Sequence, residues 1–205
     1  EAYWLRGEVL RAAERYTEAL QALDEAGAQD PDLRDETFQS RWNAARWIKN
    51  QDALAALGAE YAAAHPDDGL RYYYQAWEAV VSQRYREAIA ILVRAIEDAP
   101  RETALLWYTL GRAYVGVEAW EEGVASLEAA RALVAGGDGS MAAHSEQPAA
   151  DLFIALGQAY LGAGRCVEAE MAVDYALSVG VSEPELVAAL EEARACQSSS
   201  PSGGQ

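Results

Sequence analysis

The sequence predicts an all-α protein built as an array of antiparallel helix pairs, and three observations predict it. Pro66 and Pro100 stand 34 positions apart, each closing a helix-like stretch, Ala53 to Ala64 and Glu87 to Ala99. Between them Tyr72, Ala76, Ala79, Tyr85, Ala88, Leu92 and Ala95 recur at spacings of three and four, which gives two helices with one apolar face each. Small and aromatic residues then return at matching places in the neighbouring blocks of sequence. A period of this size marks a stacked repeat, in which a single unit cannot bury its apolar face alone.

In chain order, the first unit carries Tyr3, Gly7, Leu10, Tyr16, Ala19, Leu23, Ala26 and Pro31. A degenerate second unit places Phe38, Trp42, Ala45 and Ile48 on one helix and Leu54, Leu57 and Tyr61 on the next, with about two extra residues after Pro31 relative to the ~34 period. The third unit lies between the two prolines already named. The fourth reads Trp107, Leu110, Gly111, Tyr114, then Trp120, Leu127 and Ala130; the fifth reads Phe153, Leu156, Gly157, Tyr160, then Ala169, Val173 and Ala176.

The fourth unit resembles the tetratricopeptide repeat, whose signature is W-x2-L-G-x2-Y, then A-x3-F, then Pro. Its first helix matches in full, while Gly123 stands for the usual Ala and Leu127 for the usual Phe. The resemblance implies a right-handed superhelical solenoid with repeats at about 1–31, 32–66, 67–100, 101–135 and 149–182. Gly7, Ala76, Gly111 and Gly157 fall where the two helices of a pair approach most closely, so a larger side chain would force them apart. Ser182-Glu183-Pro184-Glu185 has the spacing of a capping box and opens a terminal capping helix, 183–197, with Glu191, Glu192 and Arg194 on its solvent face. Residues 136–148 are inserted relative to the period and, rich in Gly and Ser, read as a flexible loop; the Ser/Pro/Gly tail 198–205 reads as disordered.

A chain that is 51% hydrophobic supplies a core, and a net charge of −17 opposes nucleic acid and anionic membrane while favouring a basic partner. Solubility alone also accounts for acidic helix faces. No apolar run approaches the ~20 residues of a membrane helix. The chain starts at Glu1 without an initiator Met, as a processed or excised piece would, and its compartment, cytoplasmic or exported, stays open. Lys49 is the only lysine and Ala is abundant, a usage typical of GC-rich bacterial genomes.

Chemistry-bearing constellations are missing from the sequence. Gly136 to Ser140 has glycines but no Lys and no preceding strand, so it is not a phosphate loop. His65 and His144 lie far apart in sequence, and His65-Pro66-Asp67-Asp68 reads as a helix end, a turn and an N-cap, so no metal or cofactor is expected. Glu121-Glu122 and Glu191-Glu192 are adjacent residues, which diverge by about 100° on a helix and do not form a catalytic pair. Two cysteines make no disulfide framework; Cys166 and Cys196 read as ordinary thiols, Cys166 buried in a second helix. The expectation is therefore a binding protein and not an enzyme.

By the resemblance, first helices line a concave groove, and a partner protein or peptide is held by the residues one and five places beyond each packing aromatic. These are Trp4 and Glu8 with Arg11, then Gln39, Asn43 and Arg46, then Tyr73, Trp77 and Val80, then Tyr108 and Arg112, then Ile154 and Gln158. Trp4, Tyr73, Trp77 and Tyr108 would form an aromatic strip beside Arg46 and Arg112, residue types that dominate interface energetics. The competing reading packs Tyr73 or Trp77 between repeats. A subfamily that clamps C-terminal carboxylates with Lys and Asn is not matched, since only Asn43 is of the right type. The functional expectation is an interaction scaffold; the alternative is a non-catalytic docking or assembly domain of a larger enzyme or membrane protein. Self-association through exposed faces is open to both.

Overall fold

The computed structural model describes residues 2–98, 103–142, 144–145, 147–179 and 184–199. They form eleven helices and no strand: α1 (Ala2–Ala12), α2 (Tyr16–Gln29), α3 (Leu33–Trp47), α4 (Gln51–Ala64), α5 (Leu70–Val81), α6 (Tyr85–Asp98), α7 (Ala104–Gly116), α8 (Trp120–Ala135), α9 (Pro148–Gly162), α10 (Cys166–Ser178) and α11 (Pro184–Ser199). Two compact units divide the chain, Glu1–Ser82 and Gln83–Gln205. Pro100, Ser182 and the tail from residue 200 lie outside the described residues.

One backbone device recurs at the end of α1, α3, α5, α7 and α9. Each is joined to the next helix by three residues, the middle one in the left-handed region: Glu14 (φ 59°), Lys49 (φ 53°), Gln83 (φ 58°), Glu118 (φ 60°) and Gly164 (φ 72°). The amide of the following residue then donates back across the turn, Arg15 to the Leu10 carbonyl (2.9 Å), Asn50 to Ala45 (2.9 Å), Ala119 to Tyr114 (3.0 Å) and Arg165 to Tyr160 (2.8 Å). In these four links, each within one unit, the pattern satisfies carbonyls that a helix end leaves orphaned and reverses the chain within one turn.

Within a pair, the glycine of the first helix sets the distance. A Cβ at Gly7 would stand 2.5 Å from Leu23 Cγ, one at Gly111 2.5 Å from Leu127 Cγ, and one at Gly157 2.8 Å from Val173 Cγ2. The aromatic that opens a second helix seats on the last residue of the next first helix. Tyr16 stacks on Trp47 with centroids 5.5 Å apart, and the Tyr85 ring lies where a Cβ on Gly116 would be, 2.5 Å away. Trp120 covers Gly162 in the same way.

In the first unit the interior is aromatic. Trp42 is wholly buried and meets Tyr74 edge-on at 4.6 Å; Phe38 and Tyr61 complete the cluster at 4.8 and 4.6 Å from Tyr74. Arg41, on α3, is also buried, held by Asp24 of α2 through Nε (2.8 Å) and by Glu60 of α4 through Nη1 (2.7 Å) and Nη2 (3.0 Å). Its guanidinium thus ties three helices together, and it holds the Glu60 carboxyl below the usual range.

In the second unit one expectation gains contacts and another is corrected. Within 136–148, expected to be a flexible loop, Met141 and His144 are buried, and Ser140 Oγ accepts from the Leu105 amide at 3.1 Å, capping a donor that the start of α7 leaves open. Cys166 and Cys196, read as thiols, are joined in a disulfide with Cα atoms 5.7 Å apart, within the span such bonds bridge. α11 folds back against α10, which brings the two together across 30 positions of sequence. The helix runs to Ser199, beyond the expected end at 197.

Candidate functional site

In the first unit the candidate groove residues divide by burial. Trp4, Glu8 and Arg11 on α1 are half-buried, and Arg11 Nε donates to Glu8 at 3.1 Å. On α3 Gln39 donates to Asn43 (3.2 Å), and Gln39 Oε1 accepts from the Tyr74 hydroxyl (3.3 Å). Arg46, half-buried, holds its guanidinium 5.9 Å above the Trp77 ring.

The expected aromatic strip is corrected. Tyr73 is 1% exposed, Trp77 7% and Val80 6%, so α5 buries them along with Tyr74, Ala76 and Ala79. Tyr73 packs on Trp42 with centroids 6.3 Å apart and on Trp77 at 5.9 Å. Counting one place beyond a packing aromatic fails here because Tyr72, taken as that aromatic, sits half-exposed while the next two tyrosines fill the core. The competing reading, packing, holds for these side chains.

The second unit repeats the pattern. Tyr108 is buried, and the half-buried Arg112 lies 5.8 Å over its ring. Ile154 is not free for a groove: it packs on the cluster of Ala150, Val173, Ala176 and Leu190, beneath the terminal helix. Gln158 is exposed. In each unit, then, a half-buried first-helix arginine lies over a buried aromatic.

A feature the sequence reading missed lies among α8, α9 and α10. A cavity of about 360 Å³ is floored by Phe153, Leu156 and Tyr160 and walled by Met171, Ala172 and Tyr175. Burial and the hydrogen bond it donates to Glu128 push the Tyr160 hydroxyl up to about 12, so it stays a donor at neutral pH. Arg165 lies 4.7 Å over the same ring and pairs with Glu168 at 2.9 Å. Val167, Met171 and Tyr175, four apart and exposed, were the available signal. No group of His, Cys, Asp and Glu among the described residues is arranged to hold a metal, and no described helix is long and apolar enough to cross a membrane.

No family model matches the sequence, and no curated protein matches it significantly. Solved structures do. The crystal structure of TTC0263, a thermophilic TPR protein of Thermus thermophilus, superposes with a TM-score of 0.69 at 21% identity, over 95% of this chain and 98% of that one. PilW, a widely conserved type IV pilus biogenesis factor, gives 0.66 at 17% identity over 96% and 88%. Yeast Tom70 gives 0.62 at 20% identity over 96% of this chain and 39% of its own length. At these identities what is shared is the fold.

Proposed function

We propose, from the tetratricopeptide-repeat fold of this chain, that it is a non-catalytic interaction scaffold that takes up a peptide or helix of a partner protein on its first-helix faces. The five-repeat division at 1–31, 32–66, 67–100, 101–135 and 149–182 belongs to the same reading. The observation that carries it is the arginine over a buried aromatic in each unit, Arg46 on Trp77 and Arg112 on Tyr108. A guanidinium resting on an aromatic ring loses less freedom on binding, and arginine beside an aromatic is a residue pairing that carries much of the energy of protein interfaces. Trp4, Glu8, Arg11, Asn43 and Gln158 supply further polar contact on these faces, and the acidity of the chain selects partners that are basic overall.

Affinity capture from the source organism with Arg46→Ala and Arg112→Ala tests the reading. Both variants should keep the parent melting temperature within about 2 °C, since changes to partly exposed residues usually fall within ~0.5 kcal/mol. Each should lose the partner recovered by the parent chain. A partner retained by both variants refutes the first-helix face as the site.

A further inference from the structure

We infer that the Cys166–Cys196 disulfide is a redox latch that holds α11 over the apolar end of the α9/α10 pair and releases it on reduction. Cys166 is the first residue of α10 and Cys196 lies near the end of α11, so the bond pins the far end of the terminal helix. The rest of the described attachment is side-chain contact. Of the described side chains of α11, only Leu190 and Ala193 are buried, and they bring little apolar area to the cluster of Ala150, Val173 and Ala176. The described polar links centre on Glu170, to which Arg194 Nε and Gln197 Nε2 donate at 2.8 and 2.7 Å; Arg194 Nη2 also lies 3.9 Å from Asp174, and Gln197 Nε2 donates a longer bond of 3.3 Å to the Cys166 carbonyl. Links of this kind, at the surface or only partly buried, hold a helix weakly.

The chemistry balances with a dithiol as reductant. Its thiolate attacks Sγ of Cys196, the more exposed of the two residues, and Cys166 leaves as a thiolate at the N-terminus of α10, where the helix dipole favours negative charge. The second thiol of the reductant closes on the mixed disulfide and frees Cys196. Two protons and two electrons pass to the cysteines, and the reductant departs as its own disulfide. Reduction removes the covalent tie and leaves α11 held by the chain and these side-chain contacts, so that it can lift from Phe153, Ile154 and Leu177, which pack on the cluster that Leu190 joins.

Amide hydrogen exchange on the whole chain, oxidised and then equilibrated with dithiothreitol, reads the latch. Across 184–199 exchange should accelerate by about a hundredfold or more on reduction, the scale set by the lost loop constraint, while α7, α8 and α9 keep their protection. Cys196→Ser without reductant should match the reduced chain. Equal protection of α11 in both redox states overturns the inference. So does loss of protection throughout the second unit, which would make the bond a staple of the whole fold. Two titratable thiols in chain purified under oxidising conditions would overturn it as well.

Discussion

Four of the five left-handed link residues carry side chains, Glu14, Lys49, Gln83 and Glu118, although that conformation costs an ordinary residue about 1–2 kcal/mol and glycine almost nothing. Only Gly164 uses the cheap solution. Glu118→Gly should therefore stabilise the second unit by about 0.5–1 kcal/mol after the greater freedom of unfolded glycine is subtracted, a rise of roughly 2 °C in thermal melting. A lower melting temperature would mean that the Glu118 side chain contributes more than its backbone costs. Tyr73 and Trp77 behave in the opposite sense. Buried as they are, Tyr73→Ala with Trp77→Ala should lower stability by about 5 kcal/mol or more, visible as a large drop in the urea midpoint. An unchanged midpoint would return them to the groove. The periodicity placed both residues on one face of a helix, but helix period alone does not say which of two packed neighbours covers that face.

At the scale of elements, Arg41 is the residue that a sequence reading passes over, because an arginine in an amphipathic helix looks like part of the solvated side. Its burial follows from Asp24 and Glu60 on flanking helices, partners 17 and 19 positions away that no local pattern links. Arg41→Met should cost about 1–3 kcal/mol at pH 7, less than a fully buried pair because the Glu60 side chain keeps 26% of its exposure. The sign of the pH effect is set by Glu60. Its folded carboxyl ionises at lower pH than in the unfolded chain, so the stabilisation is full above the ordinary value of 4.5 and is lost as pH falls through the lower folded value. Urea titrations of parent and Arg41→Met should differ at pH 7 and converge in acid; a constant gap would assign the effect to packing. Helix pairing and the close-approach glycines were legible because each depends on residues within one repeat. The disulfide was not, since it depends on α11 folding back along α10.

Across the whole molecule the net charge of −17 acts without regard to which helix carries it. Self-repulsion opposes the folded state, so raising salt from about 10 to 150 mM, which shortens screening from about 30 to 8 Å, should raise the melting temperature. Association with a basic partner should slow over the same range, because long-range steering is screened. Stability indifferent to salt would mean that screening weakens local pairs, such as Arg165 with Glu168 and Arg131 with Glu128, by as much as it relieves the repulsion. The bond between Cys166 and Cys196 has a mechanical counterpart. A chain stretched by its ends pays out about 3.3–3.6 Å of contour per residue, so a crosslink over 30 positions withholds about 100 Å of extension. In a force trace the oxidised protein should reach its final length about 100 Å short of the reduced one, with α11 unable to travel far from α10 however hard the termini are pulled.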